Sequence, residues 1–232
     1  MLQAVVFDFD GVIADSEPLH LRAYQAVLET EGISLTRDDY YTRYLGYDDV
    51  GLFTALTRDR GLAVEDVKIQ EWIDRKSRIV EDLLSRDSIL FPGAAACIRT
   101  FAARVPLAIA SGALGHEIAT VLEHAGLKEC FSAIACASDG VPGKPEPDLY
   151  LLALTKLRGA GVVDRIDAGA CIAVEDSQWG LEAALKAGLR CVAVTHTYTQ
   201  SHLASADLVV DSLDDLTVAR IDALMRDNGR RP

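Results

Sequence analysis

The sequence predicts an α/β fold, a Rossmann-like, doubly wound parallel sheet into which a helical bundle is inserted after the first strand. Three observations predict it. The chain opens on Ala4-Val5-Val6-Phe7, an apolar run of the kind found in strands buried on both faces. From Phe91-Pro92-Gly93 onward, short apolar runs bounded by turns alternate with helical segments, the pattern of parallel strands joined by crossover helices. Between these two regions the periodicity is helical, with almost no strand-like alternation. The expected boundaries are therefore 1–15 and 87–232 for the sheet domain and 16–86 for the helical cap.

With 232 residues, half of them hydrophobic, the chain can bury a large core. A net charge of −12, with no Lys/Arg cluster to offset it, argues against nucleic acid and anionic membranes as partners. Met1-Leu2-Gln3-Ala4 has no basic leader character and no apolar run reaches membrane-spanning length, so a cytoplasmic protein is expected. No obligate protein partner is evident. Cys97, Cys130, Cys136, Cys171 and Cys191 are odd in number, lack a Cys-x-x-Cys pair and sit mostly in apolar surroundings, which predicts reduced core thiols. His20, His116, His124, His196 and His202 have no zinc-type spacing and are expected at the surface or in packing.

Taken in order, the first strand runs into Asp8-Phe9-Asp10-Gly11. Residues i and i+2 of an extended segment point the same way, so Asp8 and Asp10 can place two carboxylates in one small volume. Gly11 lets the backbone turn there. Asp15 or Ser16 can cap the next helix and Pro18 suits its first turn; Leu19, Ala23, Ala26 and Val27 form its apolar stripe up to Gly32. Further helical signals cover Thr36 to Tyr44, Asp48 to Arg60 and Val64 to about Ser85. Strands are expected at Leu107 to Ala110, Ala133 to Ala137, Cys171 to Val174 and Cys191 to Val194. Helix faces are marked by Ile118, Val121, Leu122 and Ala125, and by Leu181, Ala184, Leu185 and Gly188, while residues 228–232 are expected to fray.

The later strands end in polar groups. Ser111-Gly112 offers a hydroxyl and an amide near a helix start, either a cap or a phosphate site. Lys144 stands in a loop stiffened by Pro145 and Pro147. Glu175-Asp176-Ser177 precedes a helix, where acids also complement the dipole. Acids, hydroxyl, lysine and acids at successive strand ends converge on the carboxyl edge of one sheet, where ligands bind in open α/β folds. Carboxylates without soft ligands suit Mg²⁺, and Ser111 with Lys144 can hold phosphate oxygens.

In order and type, Asp8-x-Asp10-Gly11-Val12, Ser111, Lys144-Pro145-x-Pro147 and Glu175-Asp176-Ser177 resemble the four motifs of the haloacid dehalogenase-like hydrolase superfamily, with the insert placed as its helical cap of the first type. Asp15-Ser16-Glu17-Pro18-Leu19-His20 resembles the subgroup of beta-phosphoglucomutase and small sugar-phosphate phosphatases. The resemblance implies Asp8 as the nucleophile forming an aspartyl-phosphate and Asp10 as general acid and base. It implies Ser111, Gly112 and Lys144 for the phosphate, and Asp8, the Asp10 carbonyl and Asp176, with Glu175 adjacent or ligating, for Mg²⁺. It further suggests His20, Tyr47, Asp49 and Lys76 as cap residues toward a small phosphorylated substrate. Lys76 shares a stripe with Trp72, Ile73 and Val80 and is either a snorkelling edge residue or substrate-facing. Mutases of the subgroup carry Gly-x-x-Arg in the cap; here Gly46-Tyr47-Asp48-Asp49 places an acid there, which favours a phosphatase over a mutase. A non-catalytic binding protein is the remaining alternative.

Overall fold

The structure is a computed structural model and describes residues 1–84, 86, 88–159, 161 and 165–227. The chain divides into two compact units, Met1–Asp15 with Ser88–Pro232, and Ser16–Asp87.

In chain order the elements are β1 (Ala4–Phe7), α1 (Glu17–Glu29), the one-turn α2 (Arg37–Asp39), α3 (Asp49–Asp59), α4 (Asp66–Leu84), α5 (Ala94–Ala102), β2 (Leu107–Ala110), α6 (Gly115–His124), β3 (Phe131–Ala135), α7 (Asp148–Gly159), β4 (Cys171–Glu175), α8 (Gln178–Lys186), β5 (Arg190–Val194), β6 (Leu208–Val210) and α9 (Val218–Arg226). Among the described residues the strands form one sheet in the order β3-β2-β1-β4-β5-β6, parallel throughout. This is the doubly wound order, and its direction of winding reverses between β1 and β4.

The two faces of the sheet differ in side-chain size. Ala4, Val6, Ala108, Ala110, Ala133, Ala135, Cys171, Ala173, Cys191 and Ala193 alternate onto one face and pack with Leu149, Tyr150, Ala153, Leu154 and Leu157 of α7 and with Leu181, Ala183 and Ala184 of α8. Small residues there let the helices approach closely. The alternate residues, Val5, Phe7, Leu107, Ile109, Ile172, Val174, Val192 and Val194, are bulkier and equally buried. The helical unit has its own core, in which Tyr24, Phe53 and Trp72 meet, the Tyr24–Phe53 and Phe53–Trp72 ring centroids both 5.4 Å apart.

Several expectations need correction. The third strand begins at Phe131, not Ala133, because the Phe131 ring meets Phe7 edge-on with centroids 6.2 Å apart. Ala137 lies beyond it in a 3₁₀ turn closed by Asp139, whose carboxylate accepts from the Cys136 N–H at 2.9 Å. Residues 36–44 form a single α-turn followed by a π-helical turn, Tyr40–Tyr44. Three-residue β6 was not foreseen; it is too short for periodicity to mark. Cys97, Cys136, Cys171 and Cys191 are buried, whereas Cys130 is only partly so; all five are free. The expected helix end near Ser85 and the fraying of residues 228–232 lie outside the described residues. Among those described, no helix is long and apolar enough to cross a membrane.

Central-strand packing sets the stability of the sheet unit. Ile109→Ala, on the bulky face of β2, is expected to cost about 2–5 kcal/mol. Val67→Ala, at a position 80% exposed, should stay within about 0.5 kcal/mol of wild type in denaturant titrations.

Candidate active site

Asp8 follows β1 directly, and its N–H donates to the Val174 carbonyl of β4 at 2.9 Å. Strand periodicity then decides which acids meet. Val6 pairs with Ala173 on the small-residue face, so Asp8 and Glu175, each two residues further on, project to that face together. Lys144, from the loop before α7, bridges them, with Nζ 2.7 Å from Asp8 Oδ1 and 2.5 Å from Glu175 Oε1.

Glu175 is enclosed on every side. The Tyr150 hydroxyl donates to Oε1 at 2.6 Å, and its ring centre lies 5.3 Å from Lys144 Nζ. Ser177 donates to Oε2 at 3.3 Å while accepting from the Gly180 N–H at 3.1 Å, which caps α8. A Cβ on Gly180 would stand 2.0 Å from the Glu175 carboxyl group. Gly11 makes a comparable allowance, having φ of 77° and space for a Cβ only 2.0 Å from Asp176 Oδ2.

Carboxylate oxygens of Asp8, Glu175 and Asp176 lie within 4.8 Å of one another. Three buried acids are thus set against one ammonium. Burial raises the Asp8 pKa well above the usual range; Lys144 opposes this, and Glu175 and Asp176 add to it. Asp176 is raised to about 7 by burial and by Glu175, against the Thr197 hydroxyl that hydrogen-bonds it. Burial works against the charge on Lys144, but Asp8 and Glu175 outweigh it and hold its pKa above the ordinary value. Hard oxygen donors with excess negative charge fit Mg²⁺, and no His or Cys belongs to this cluster.

Asp10 lies in a tight turn and forms a bridge with Ala14. Ser111 follows β2, buried, with its N–H bonded to the Ala135 carbonyl at 3.0 Å. Its Oγ accepts from the Ala113 N–H at 3.1 Å, which leaves the hydroxyl hydrogen to be donated elsewhere. The helix cap is Leu114, so Ser111 is no cap. Around Gly112 a Cβ would meet nothing within 4 Å, so the backbone there is open to a ligand.

Within the helical unit, three of the four predicted residues come together. Lys76, 6% exposed, holds Asp49 at 2.8 Å, and Tyr24 donates to the same Asp49 oxygen at 2.5 Å. His20 is lowered to about 4 by burial and by Lys76, against Asp49, and its Nδ1 has no partner. Lys76 is therefore a paired, buried cation and not a snorkelling one. Tyr47 stands apart, half exposed and packed edge-on against Tyr44.

The model of haloacid dehalogenase-like hydrolases matches residues 2–188. The chain belongs to this family. Protein CbbY of Rhodobacter capsulatus is 31% identical over 96% of this chain and 97% of its own. The phosphorylated carbohydrates phosphatase of Thermotoga maritima is 30% identical over 84% of this chain and 87% of its own. Among solved structures, CbbY from Rhodobacter sphaeroides in complex with phosphate aligns with a TM-score of 0.79 at 28% identity, covering 96% of this chain and 100% of that one. As a haloacid dehalogenase-like hydrolase with phosphatases among its relatives, the protein is a phosphatase-class enzyme.

Sequence reasoning missed Tyr150, Gly180 and Thr197. Tyr150 stands six residues beyond Lys144 in an apolar helix, where an aromatic reads as core. Thr197 follows the run Cys191 to Val194, so applying the strand-end rule to that strand as well would have found it.

Gly180 gives a test with opposing signs. Helix propensity alone favours Gly180→Ala by up to about 1 kcal/mol. Displacement of Glu175 should instead lower the melting temperature and slow phosphomonoester turnover. Gly159→Ala, where a Cβ meets nothing within 4 Å, should leave both near wild type.

Proposed function

We propose that the protein is a Mg²⁺-dependent phosphatase that hydrolyses a small phosphorylated carbohydrate through an aspartyl-phosphate on Asp8. The observation that carries this reading is the buried cluster of Asp8, Glu175 and Asp176 with Lys144 bridging two of its members. Asp8 attacks phosphorus, and the bond to the leaving oxygen breaks as Asp10 protonates that oxygen. Asp10 then takes a proton from water, which attacks the acyl phosphate, frees inorganic phosphate and restores the Asp8 carboxylate. Lys144, the Ser111 hydroxyl and the Gly112 amide hold the non-bridging oxygens. When bound by Asp8, the Asp10 carbonyl and Asp176, with Glu175 alongside, the metal supplies charge neutralisation that lets two anions meet.

We assign recognition of the rest of the substrate to His20, Asp49 and Lys76, with Tyr47 left out because it is separate from them. A Lys76 already neutralised by Asp49, beside an uncharged imidazole, suits hydroxyl groups better than a second phosphate. The relative named for phosphorylated carbohydrates supports that substrate class.

Released phosphate from a panel of sugar and polyol phosphates is the primary test. Asp8→Ala, or excess EDTA, should abolish turnover, and Asp10→Asn should slow it about a hundredfold or more; wild-type rates in either case would refute the assignment. Lys76→Ala should raise KM for a sugar phosphate more than for p-nitrophenyl phosphate. Supplied with β-glucose 1-phosphate and a trace of glucose 1,6-bisphosphate, the enzyme should release phosphate; rapid glucose 6-phosphate formation without it would identify a mutase.

A further inference from the structure

The segment after β5 carries a residue that the four motifs leave out. His196 Nδ1 lies 3.0 Å from the Gly11 carbonyl oxygen, 185 residues away in sequence. A carbonyl only accepts, so the ring nitrogen donates and His196 carries its proton on Nδ1. The carbonyl belongs to the turn that bears Asp10. This turn is closed by Ile13 N–H to Phe9 O at 2.8 Å, Ala14 N–H to Phe9 O at 2.9 Å and Gly11 N–H to Ala14 O at 2.9 Å. The same imidazole stacks on Phe91, with centroids 4.0 Å apart and planes at 20°. Phe91 belongs to the returning chain, which is tied to the outgoing one by Phe91 N–H to Ile13 O at 3.0 Å and Asp15 N–H to Ile89 O at 2.7 Å. One ring thus touches both the Asp10 turn and the returning chain laid beside it.

We propose that His196 is a positioning residue that fixes the Asp10 turn for proton transfer. The inference rests on Asp10 as general acid and base. Gly11 is the reason the turn needs an outside hold. Its positive φ is accessible because it lacks a Cβ, and the same freedom lets the Gly11–Val12 peptide, which carries that carbonyl, rotate even with the Gly11 N–H held by Ala14. A donor on the Gly11 carbonyl removes that rotation, and the flat stack on Phe91 fixes the donor in turn. Displacement of a general acid by about 1 Å is enough to slow a reaction up to a hundredfold while leaving substrate binding intact.

Two substitutions separate the two contacts. His196→Phe keeps the stack and removes the donor; His196→Asn restores an N–H donor near the Nδ1 position and gives up the stack. On a sugar phosphate, His196→Phe should lower kcat about tenfold to a hundredfold with KM within about twofold, and His196→Asn should recover most of that loss. In a double-mutant cycle, Asp10→Asn with His196→Phe should be no slower than Asp10→Asn alone, because the donor acts only through Asp10. Wild-type kcat in His196→Phe would overturn the proposal. So would multiplicative losses in the double variant, or equal losses in both His196 variants that track their melting temperatures. Should Asp10→Asn itself turn over at the wild-type rate, the acid-base reading fails and this inference falls with it; a slow Asp10→Asn with multiplicative losses removes His196 alone.

Discussion

Asp8 and Glu175, buried at the ends of adjacent strands, are held together across the single ammonium of Lys144, and much of the sheet unit is arranged around that bridge. A buried charge left without its partner costs about 3–5 kcal/mol, so loss of Lys144 would strand two acids at once, whereas loss of Asp8 leaves Lys144 paired with Glu175. The two acids are not equivalent. Glu175 has both oxygens engaged, by Lys144 and Tyr150 on one and by Ser177 on the other, and acts as an anchor. Asp8 shares one oxygen with Lys144 and is 7% exposed where Glu175 is 0%, as the proposed mechanism asks of the attacking carboxylate.

The asymmetry originates in the sheet. Alanines at 108, 110, 133, 135, 173 and 193 make one face thin, and α7 and α8 pack into the space they leave. Tyr150 belongs to that layer, and its hydroxyl reaches Glu175 because nothing large stands between. Gly180 removes the last obstacle, from the N-terminal turn of α8. Larger strand residues on this face would add apolar burial yet push α7 outward. The core is therefore shaped by its polar end as well as by hydrophobic area.

The sheet was legible in the sequence because it rests on local physics, apolar runs ending at charge. The Leu107 to Ala110 strand was located to the residue for that reason. Period two placed Asp8 beside Glu175 and not beside Asp10, because β1 ends at Phe7 and Asp10 lies in the turn beyond it. What escaped depends on distant contacts. Phe131 joins β3 because of Phe7, more than a hundred residues away, and β6 exists because Val192 to Val194 offer it an edge. Asp49 was read as the acid that stands where mutases carry arginine, and its pairing with Lys76 and Tyr24 could be seen only once α1, α3 and α4 were packed. His196 was expected at the surface or in packing, and it stacks on Phe91; its bond to Gly11 has no local sequence signal.

Charge counting connects the cluster to the choice between hydrolysis and transfer. On the proposed mechanism, a phosphomonoester dianion joins three carboxylates and one lysine, and a divalent cation makes that approach tolerable. A second phosphate on the same molecule would need cations of its own. In the helical unit, Lys76 is committed to Asp49, and Arg43 to Asp59 at 2.6 Å. Freeing Lys76 would leave Asp49 with the Tyr24 hydroxyl, whereas Asp59, without Arg43, would keep Arg58 at 3.6 Å and the Tyr44 hydroxyl at 3.1 Å. On the proposed reading, in which Lys76 meets the substrate, a second phosphate would compete with Asp49 for that ammonium, and water, which carries no charge, faces no such competition.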